Sequence, residues 1–409
     1  MAVLGGLLLL GPALYALVWY WLRGGLRPGE TPSQPQRPGP ARPAEEKTWP
    51  VEGAASPGTT PAEAATPGLL FSVLVAARDE AAALPHLLAA LATQQLPPTC
   101  FEVLVADDHS ADYSAALVLA AAATAPYALR LVVLPAGRTG KKAALAAAEA
   151  QARAPWVVTT DADCRPGPGW LLAYAARLAA HPPTRPPLQL LSGPVRLTPG
   201  GAWFDGLLAL EFAGLVGVGA GCIGRGWPTM CNGANLAFRR SAFHEVGGYA
   251  DNAGVASGDD EFLLHKLHQR YLAGVAFVAE ARAVVDTPAP ATLAALLRQR
   301  VRWASKYPHY RTAAPRQLAL LVLGTNLSLA LALAGALVWP ALVGWAAATW
   351  ALKLGADAWL LWPVLGLLQR RHWLGWLLPL QVLYAPYALL VGLAGRRGQG
   401  YRWKGRQVR

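Results

Sequence analysis

The sequence predicts an α/β protein: a mostly parallel sheet with helices on both faces, flanked by helices that cross a membrane. Three observations predict it. Short apolar runs alternate with Ala-rich helical stretches from Leu69 onward, the pattern of strands joined by helical crossovers. Acidic clusters stand at the ends of those runs, where open parallel sheets bind ligands. The chain is 54% hydrophobic and only 15% charged, against roughly a quarter charged in soluble domains.

Taken in order, Ala2 to Leu22 is an uninterrupted apolar run ending in Tyr20 and Trp21, long enough to span a bilayer as a helix. Arg23 and Arg27 follow it, and no side-chain charge precedes it. The positive-inside rule therefore places the following chain in the cytoplasm. A cleaved signal peptide would want a charged start and a small-residue cleavage site, so residues 1–23 read as an uncleaved anchor. Residues 24–68 hold a proline-rich stretch with ten prolines between Pro28 and Pro67. Such a segment cannot bury a core and reads as a disordered linker.

A soluble domain is expected over 69–311. Phe71 to Ala77, Glu102 to Ala106, Leu129 to Leu134 and Trp156 to Thr160 read as strands. Leu84 to Leu91, Tyr113 to Ala123 and Lys142 to Ala152 read as the helices between them. Residues 203–221 are apolar and Gly-rich but contain Asp205 and Glu211; they are expected to form an amphipathic helix at the interface. Residues 312–395 hold three candidate spans, Leu318 to Val338, Pro340 to Leu365 and Trp373 to Ala394. Lys353 and Asp357, four apart on one helical face, are expected to pair and to fix helix packing.

Three spans after an inward-running anchor would leave the basic tail, 396–409, outside. The positive charge of that tail and of Arg370 and Arg371 argues for inside. Trp373 to Ala394, interrupted by Pro379 and Pro386, is the candidate for a re-entrant or interfacial segment. The expectation is a multi-pass protein of the cell (inner) membrane with its soluble domain in the cytoplasm.

The formal net charge is +12, and six Arg or Lys lie in the last fourteen residues. A basic tail beside an apolar segment suits anionic headgroups, and no nucleic-acid motif accompanies it. Cys100, Cys164, Cys222 and Cys231 show no CxxC spacing. That excludes a zinc or redox signature and fits a reducing compartment.

Six constellations carry chemistry. Arg78-Asp79-Glu80 and Asp107-Asp108-His109-Ser110 follow the first two strands. Carboxylates there can accept hydrogen bonds from a base or ribose, although Asp and Ser also favour turns. Asp161-Ala162-Asp163 can hold Mg²⁺ or Mn²⁺, sharing the ion with phosphates and water. Gly140-Lys141-Lys142 opens a helix, where N–H groups and a lysine meet phosphate or simply solvent. Ser257-Gly258-Asp259-Asp260-Glu261 offers a general base, and equally an acidic first turn that suits the helix dipole. Gln299-Arg300-Val301-Arg302-Trp303 offers an arginine for diphosphate and an indole for a sugar face, or an interfacial Trp/Arg belt.

In this order, with Asn232-Gly233-Ala234-Asn235 and Val246-Gly247-Gly248-Tyr249 between them, the set resembles the membrane-bound family 2 glycosyltransferases. These include cellulose, hyaluronan and chitin synthases and ceramide glucosyltransferase. The resemblance covers about Phe71 to Tyr307 and the flanking helices. It implies a Rossmann-like GT-A nucleotide-sugar-binding domain and an inverting, metal-dependent transfer of a hexosyl group. The donor would be a nucleotide-sugar, UDP-linked; the acceptor would be a lipid or a glycan at the membrane.

By position, Asp108 with Asp107 would contact base and ribose, and Lys141 the nucleotide. Asp161 and Asp163 would bind metal and diphosphate. Asp260 would be the base beside Asp259. Gln299 and Arg302 would hold diphosphate, and Trp303 the acceptor. The acidic pair reads Asp-Asp where Glu-Asp is commoner. A processive polysaccharide synthase and a single-addition enzyme on a lipid both fit these motifs; a non-catalytic membrane protein binding nucleotide-sugar or anionic lipid is the alternative from another class.

Overall fold

The computed structural model describes residues 1–26, 68–250, 258–306, 309–310, 312–395, 401–403 and 406–408. Most of the expected linker and basic tail, together with Ser257 and Tyr307, lie outside the described residues.

The chain opens with helix α1 (Ala2–Gly24). The α/β domain then runs β1 (Phe71–Ala77), α2 (Leu84–Ala92), β2 (Phe101–Asp107), α3 (Ser114–Ala122), β3 (Ala128–Val133), α4 (Lys141–Glu149) and β4 (Trp156–Asp161). It continues through β5 (Arg165–Pro166), α5 (Trp170–Ala179), β6 (Leu190–Ser192), β7 (Val195–Thr198) and the long α6 (Asp205–Gly224). Next come β8 (Leu236–Arg239), α7 (Arg240–Glu245), α8 (Asp259–Arg270), β9 (Val275–Phe277), β10 (Val285–Pro288) and α9 (Leu293–Ala304). Three helices close it, α10 (Ala314–Val338), α11 (Val343–Leu367) and α12 (Leu377–Gly395). Two short strands, β11 (Tyr401–Trp403) and β12 (Arg406–Val408), follow in the tail.

The expected four strands and three intervening helices are all present. The main sheet has the order β3-β2-β1-β4-β8-β6-β9. Its β3-β2-β1-β4 half is parallel, while β8 is antiparallel to both neighbours. The central strands are buried on both faces, which is why they read as continuous runs of Val, Leu and Thr rather than as alternating patterns. The period of two still sorts the core. Phe71, Val73, Val75, Val103, Val105 and Val158 pack on the face covered by α2, α3 and α5. Leu74, Leu104, Ala106 and Val157 pack on the other, under α4, α7 and α8.

Beside the sheet, α1 and α11 run in the same direction. Gly5 lies against Trp345, the Tyr15 hydroxyl donates to Asp357 Oδ1 at 2.5 Å, and Arg23 stacks on Trp359. Helix α10 runs the opposite way, with Gly11 against Ser328 and Leu318 packed with Trp19 and Leu22. Helices α1, α6 and α10 are long and apolar enough to cross a membrane. The expected Lys353–Asp357 pair forms at 2.6 Å within α11, joined by Gln381 of α12.

Helix α6 differs from the amphipathic pattern expected over 203–221. It is buried on most of its sides, including Leu208, Leu210, Ala213, Val218 and Cys222. The reason is its place in the fold. It lies across the C-terminal ends of α1 and α11, between them and the sheet domain. Gly217 faces Val364 and Gly221 faces the Leu22 carbonyl, and small residues allow that close approach. Arg196 of β7 closes the same junction, donating to the Leu368 carbonyl at 2.9 Å and pairing with Asp286.

Candidate active site

The carboxyl ends of the parallel strands bring three of the expected clusters to one edge. In register, Ala77 of β1 lies beside Asp107 of β2, and Ala76 beside Asp161 of β4. The loops after β1 and β2 interlock: Asp79 accepts from the Ala111 N–H at 2.7 Å, and Ser110 Oγ accepts from the Asp79 N–H at 3.0 Å. Asp79 takes up the left-handed backbone conformation there, φ 51°, which Asp tolerates better than most residues.

Asp107 and Asp108 are buried at this edge. Asp108 Oδ2 accepts from the Gly140 N–H at 3.0 Å, while Arg78 donates to the Asp108 carbonyl at 2.9 Å. Asp108 therefore holds the loop that precedes α4. That loop, residues 137–140, lines a large cavity, while neither aspartate is among the lining residues. Asp107 Oδ1 is buried without a hydrogen-bond partner.

The cavity has a volume of about 1310 Å³ and reaches from Lys141, Asp161, Asp259 and Asp260 to Gln299, Arg302 and Trp303. Lys141, at the start of α4, bonds Asp161 Oδ1 at 2.6 Å and stands 3.6 Å from Asp259 Oδ2. Burial works to lower the Lys141 pKa, but these two carboxylates overcome it and raise it. For Lys142 burial outweighs the Asp259 and Asp260 carboxylates and pulls it down to about 8.

The acidic first turn of α8 follows Gly258, whose φ of +83° is in the left-handed region. Asp260 accepts from the Gly233 N–H at 2.9 Å through one oxygen and from the Glu261 N–H at 2.7 Å through the other. Burial and then the neighbouring Asp259 raise its pKa to about 6. Asp259 moves the other way: burial opposes ionisation, but Lys141 and Lys142 lower its pKa. Two adjacent carboxyls thus have environments that push them apart.

Gly233 is presented by a rigid support. Asn235 is fully buried; it accepts from Trp170 Nε1 and Tyr174 Oη and donates to the Pro194 and Ala283 carbonyls. Thr159 of β4 donates to the Gly233 carbonyl at 2.7 Å. The Asn-Gly-Ala-Asn motif therefore positions Asp260, a role that its residue types alone do not suggest.

Helix α9 is capped by Thr292, which accepts from the Ala295 N–H at 3.1 Å and satisfies a first-turn donor. It presents Gln299, Arg302 and Trp303 to the cavity. Sequence reasoning missed Arg300 and Lys306, both buried in the cavity wall. Lys306 pairs with Glu261 at 2.9 Å, and Tyr310 donates to the same carboxylate at 2.5 Å.

Ligand atoms of Asp161, Asp163 and Cys164 lie within 4.8 Å of one another. The two carboxylates fit a hard divalent cation, which takes few protein ligands and completes its shell with phosphate and water. Cys164 fits such an ion poorly, because soft sulfur suits other metals.

A carboxylate-lined cavity at the carboxyl ends of parallel strands stands where open α/β sheets bind their ligands. Residues 72–185 match the model of glycosyl transferase family 2, and residues 156–394 match that of glycosyl transferase family group 2. The chain belongs to the family 2 glycosyltransferases. Among solved structures it resembles the mannosyltransferase PcManGT from Pyrobaculum calidifontis, at 22% identity and a TM-score of 0.52, covering 96% of this chain and 98% of that one.

Two further structures match less well. TarS from S. aureus, solved with UDP-GlcNAc, shares 16% identity at a TM-score of 0.41, covering 83% and 97% of the two chains. Glucosyl-3-phosphoglycerate synthase from Mycobacterium tuberculosis shares 21% at 0.39, covering 63% and 84%. No curated protein matches the sequence.

Proposed function

We propose that this glycosyltransferase is inverting and metal-dependent, and that it moves a hexose from a nucleoside diphosphate donor to a lipid or glycan acceptor at a membrane. One observation carries the reading. The cavity that holds Lys141, Asp161 and Asp260 continues without a break to Tyr15, Leu318, Leu323, Leu360 and Val391 of the long helices. An acceptor can thus meet the donor from the level of those helices. The apolar lining favours a lipid-linked acceptor over a free glycan. The Pyrobaculum mannosyltransferase was solved with GDP-Man and Mn²⁺, which supports this donor class and cation. A UDP-linked donor is the expectation of the motifs.

In this reading Asp260 takes the proton of the acceptor hydroxyl as it attacks the anomeric carbon. The raised pKa suits a group that must accept a proton near neutrality. Attack opposite the departing diphosphate inverts the configuration in one displacement. Asp161 and Asp163 hold the cation, which would neutralise charge on the leaving group. Lys141 shifts from Asp161 toward the diphosphate, and Arg302 and Gln299 meet it from α9. Trp303 offers its indole to the acceptor. Asp107 and Asp108 stand behind the cavity wall, and Asp108 acts on base and ribose through the 137–140 loop.

The geometry of the long helices supports an orientation as well. We read α1, α10 and α11 as spans, running in, out and in, with α12 lying beside α9. The sheet domain and the basic tail then share the cytoplasmic side, in keeping with Arg23, Arg225, Arg370 and Arg371, each stacked on a tryptophan at that level. Residues 1–23 serve as anchor, 24–68 as linker, 69–311 as the catalytic domain and 312–395 as the membrane part.

The test is a screen of UDP- and GDP-linked sugars with Mg²⁺ or Mn²⁺, followed by Asp260→Asn. The variant is expected to lose transfer by at least about a thousandfold while still binding donor. Near-normal turnover would remove Asp260 from the mechanism.

A further inference from the structure

Between Gln299 and Trp303 on α9 lies Arg300, 4% exposed. Its guanidinium donates to Glu211 Oε2 of α6 at 2.5 Å, to the Tyr387 hydroxyl of α12 at 3.0 Å and to Gln299 Oε1 at 3.1 Å. It also lies 4.3 Å from the centroid of the Trp303 ring. One side chain thus touches both cavity-lining neighbours on its own helix and ties them to two other helices. Glu211, Arg300 and Tyr387 all line the cavity where it passes from the sheet domain to the long helices.

A buried ion pair is weak support for stability, because desolvating both charges offsets most of their attraction. Its directional bonds, however, fix geometry, and an arginine spreads five donors over several partners at once. Two residues past the end of α9, Lys306 pairs with Glu261 of the helix that carries Asp260. The C-terminal half of α9 is therefore fastened to α6 and α12 through Arg300 and, just past the helix, to α8 through Lys306.

We propose that Arg300 is a positioning residue for the acceptor: the Glu211–Arg300–Tyr387 link holds Gln299 and Trp303 in the cavity wall and ties that wall to α12, so that acceptor engagement depends on it. This rests on the glycosyltransferase reading above. Arg300 touches neither donor nor metal ligands; it acts through Gln299 and Trp303. Loss of the link loosens the acceptor side of the cavity and leaves the Lys141–Asp161–Asp259 side in place.

The test uses the full chain in isolated membranes, with a labelled nucleotide-sugar that the unaltered enzyme turns over. Label appearing in the membrane fraction reports transfer; free labelled sugar reports donor hydrolysis. Arg300→Lys and Glu211→Gln are expected to lower the ratio of transfer to hydrolysis by about tenfold, and Tyr387→Phe by about threefold; hydrolysis falls less than transfer, because of the two residues held only Gln299 meets the diphosphate. A general structural defect would lower both activities together and leave the ratio unmoved, and that result would overturn the proposal. Tyr387→Phe removes a single hydroxyl and decides the matter if the charge variants fail to fold. An unaltered enzyme that neither transfers nor hydrolyses any nucleotide-sugar would instead remove the glycosyltransferase reading, and this proposal with it.

Discussion

At the scale of single residues, the site rests on unequal treatment of two adjacent carboxyls. Burial and Asp259 raise Asp260 to about 6, while Lys141 and Lys142 hold Asp259 down. A base must be ionised to act, so transfer should rise with pH through about 6 and level off above it. Lys306 is one of the cations that restrain this rise. Lys306→Gln should therefore move the acid limb to higher pH. Profiles of initial rate across that range check both points; a flat profile would place the proton acceptor elsewhere. As candidates, Asp161, Asp163, Asp260, Gln299 and Trp303 were legible in the sequence because their types and order are distinctive. Asn235, Arg300 and Lys306 were not, because each works through partners far away in the chain.

At the scale of elements, α6 is where sequence and structure diverge most. Its run of Leu, Val, Ala and Gly shows apolarity but not what surrounds it. The structure surrounds it on most sides, so no polar face is needed. Several of its glycines, Gly217 and Gly221 among them, are contact points. A Cβ at Gly221 would stand 2.8 Å from the Leu22 carbonyl oxygen, whereas one at Gly214 would meet nothing within 4 Å. Gly221→Val should cost about 1–3 kcal/mol more than Gly214→Val, since overpacking forces backbone shifts and the helix propensity change is shared. Thermal unfolding of both variants in detergent measures the difference. Equal midpoints would mean that α6 and α1 are not in close contact.

At the scale of the whole molecule, the relative direction of the long helices sets the topology. Parallel α1 and α11, with α10 opposed, put the α10–α11 turn on the face away from the sheet domain. A cysteine introduced by Trp339→Cys should react with a membrane-impermeant maleimide in intact cells. One introduced by Gln369→Cys should react only after permeabilisation. Labelling of both from the same side would contradict the proposed spans. The expected clash between span count and charge arose because Trp373 to Ala394 looks like a third span; packed beside α9 and joined to Arg300 through Tyr387, it has another place to go.

Composition and order alone determined the α/β domain, the long apolar helices and the chemistry-bearing carboxylates, because strand burial, bilayer length and motif order are local properties of the chain. Only the tertiary structure decided that Asp108 serves a loop, that Gly233 and Asn235 set Asp260, that α6 is enclosed, and that one cavity joins the carboxylates to the long helices. Each of these depends on groups distant in sequence meeting in space, and no local pattern encodes such a meeting.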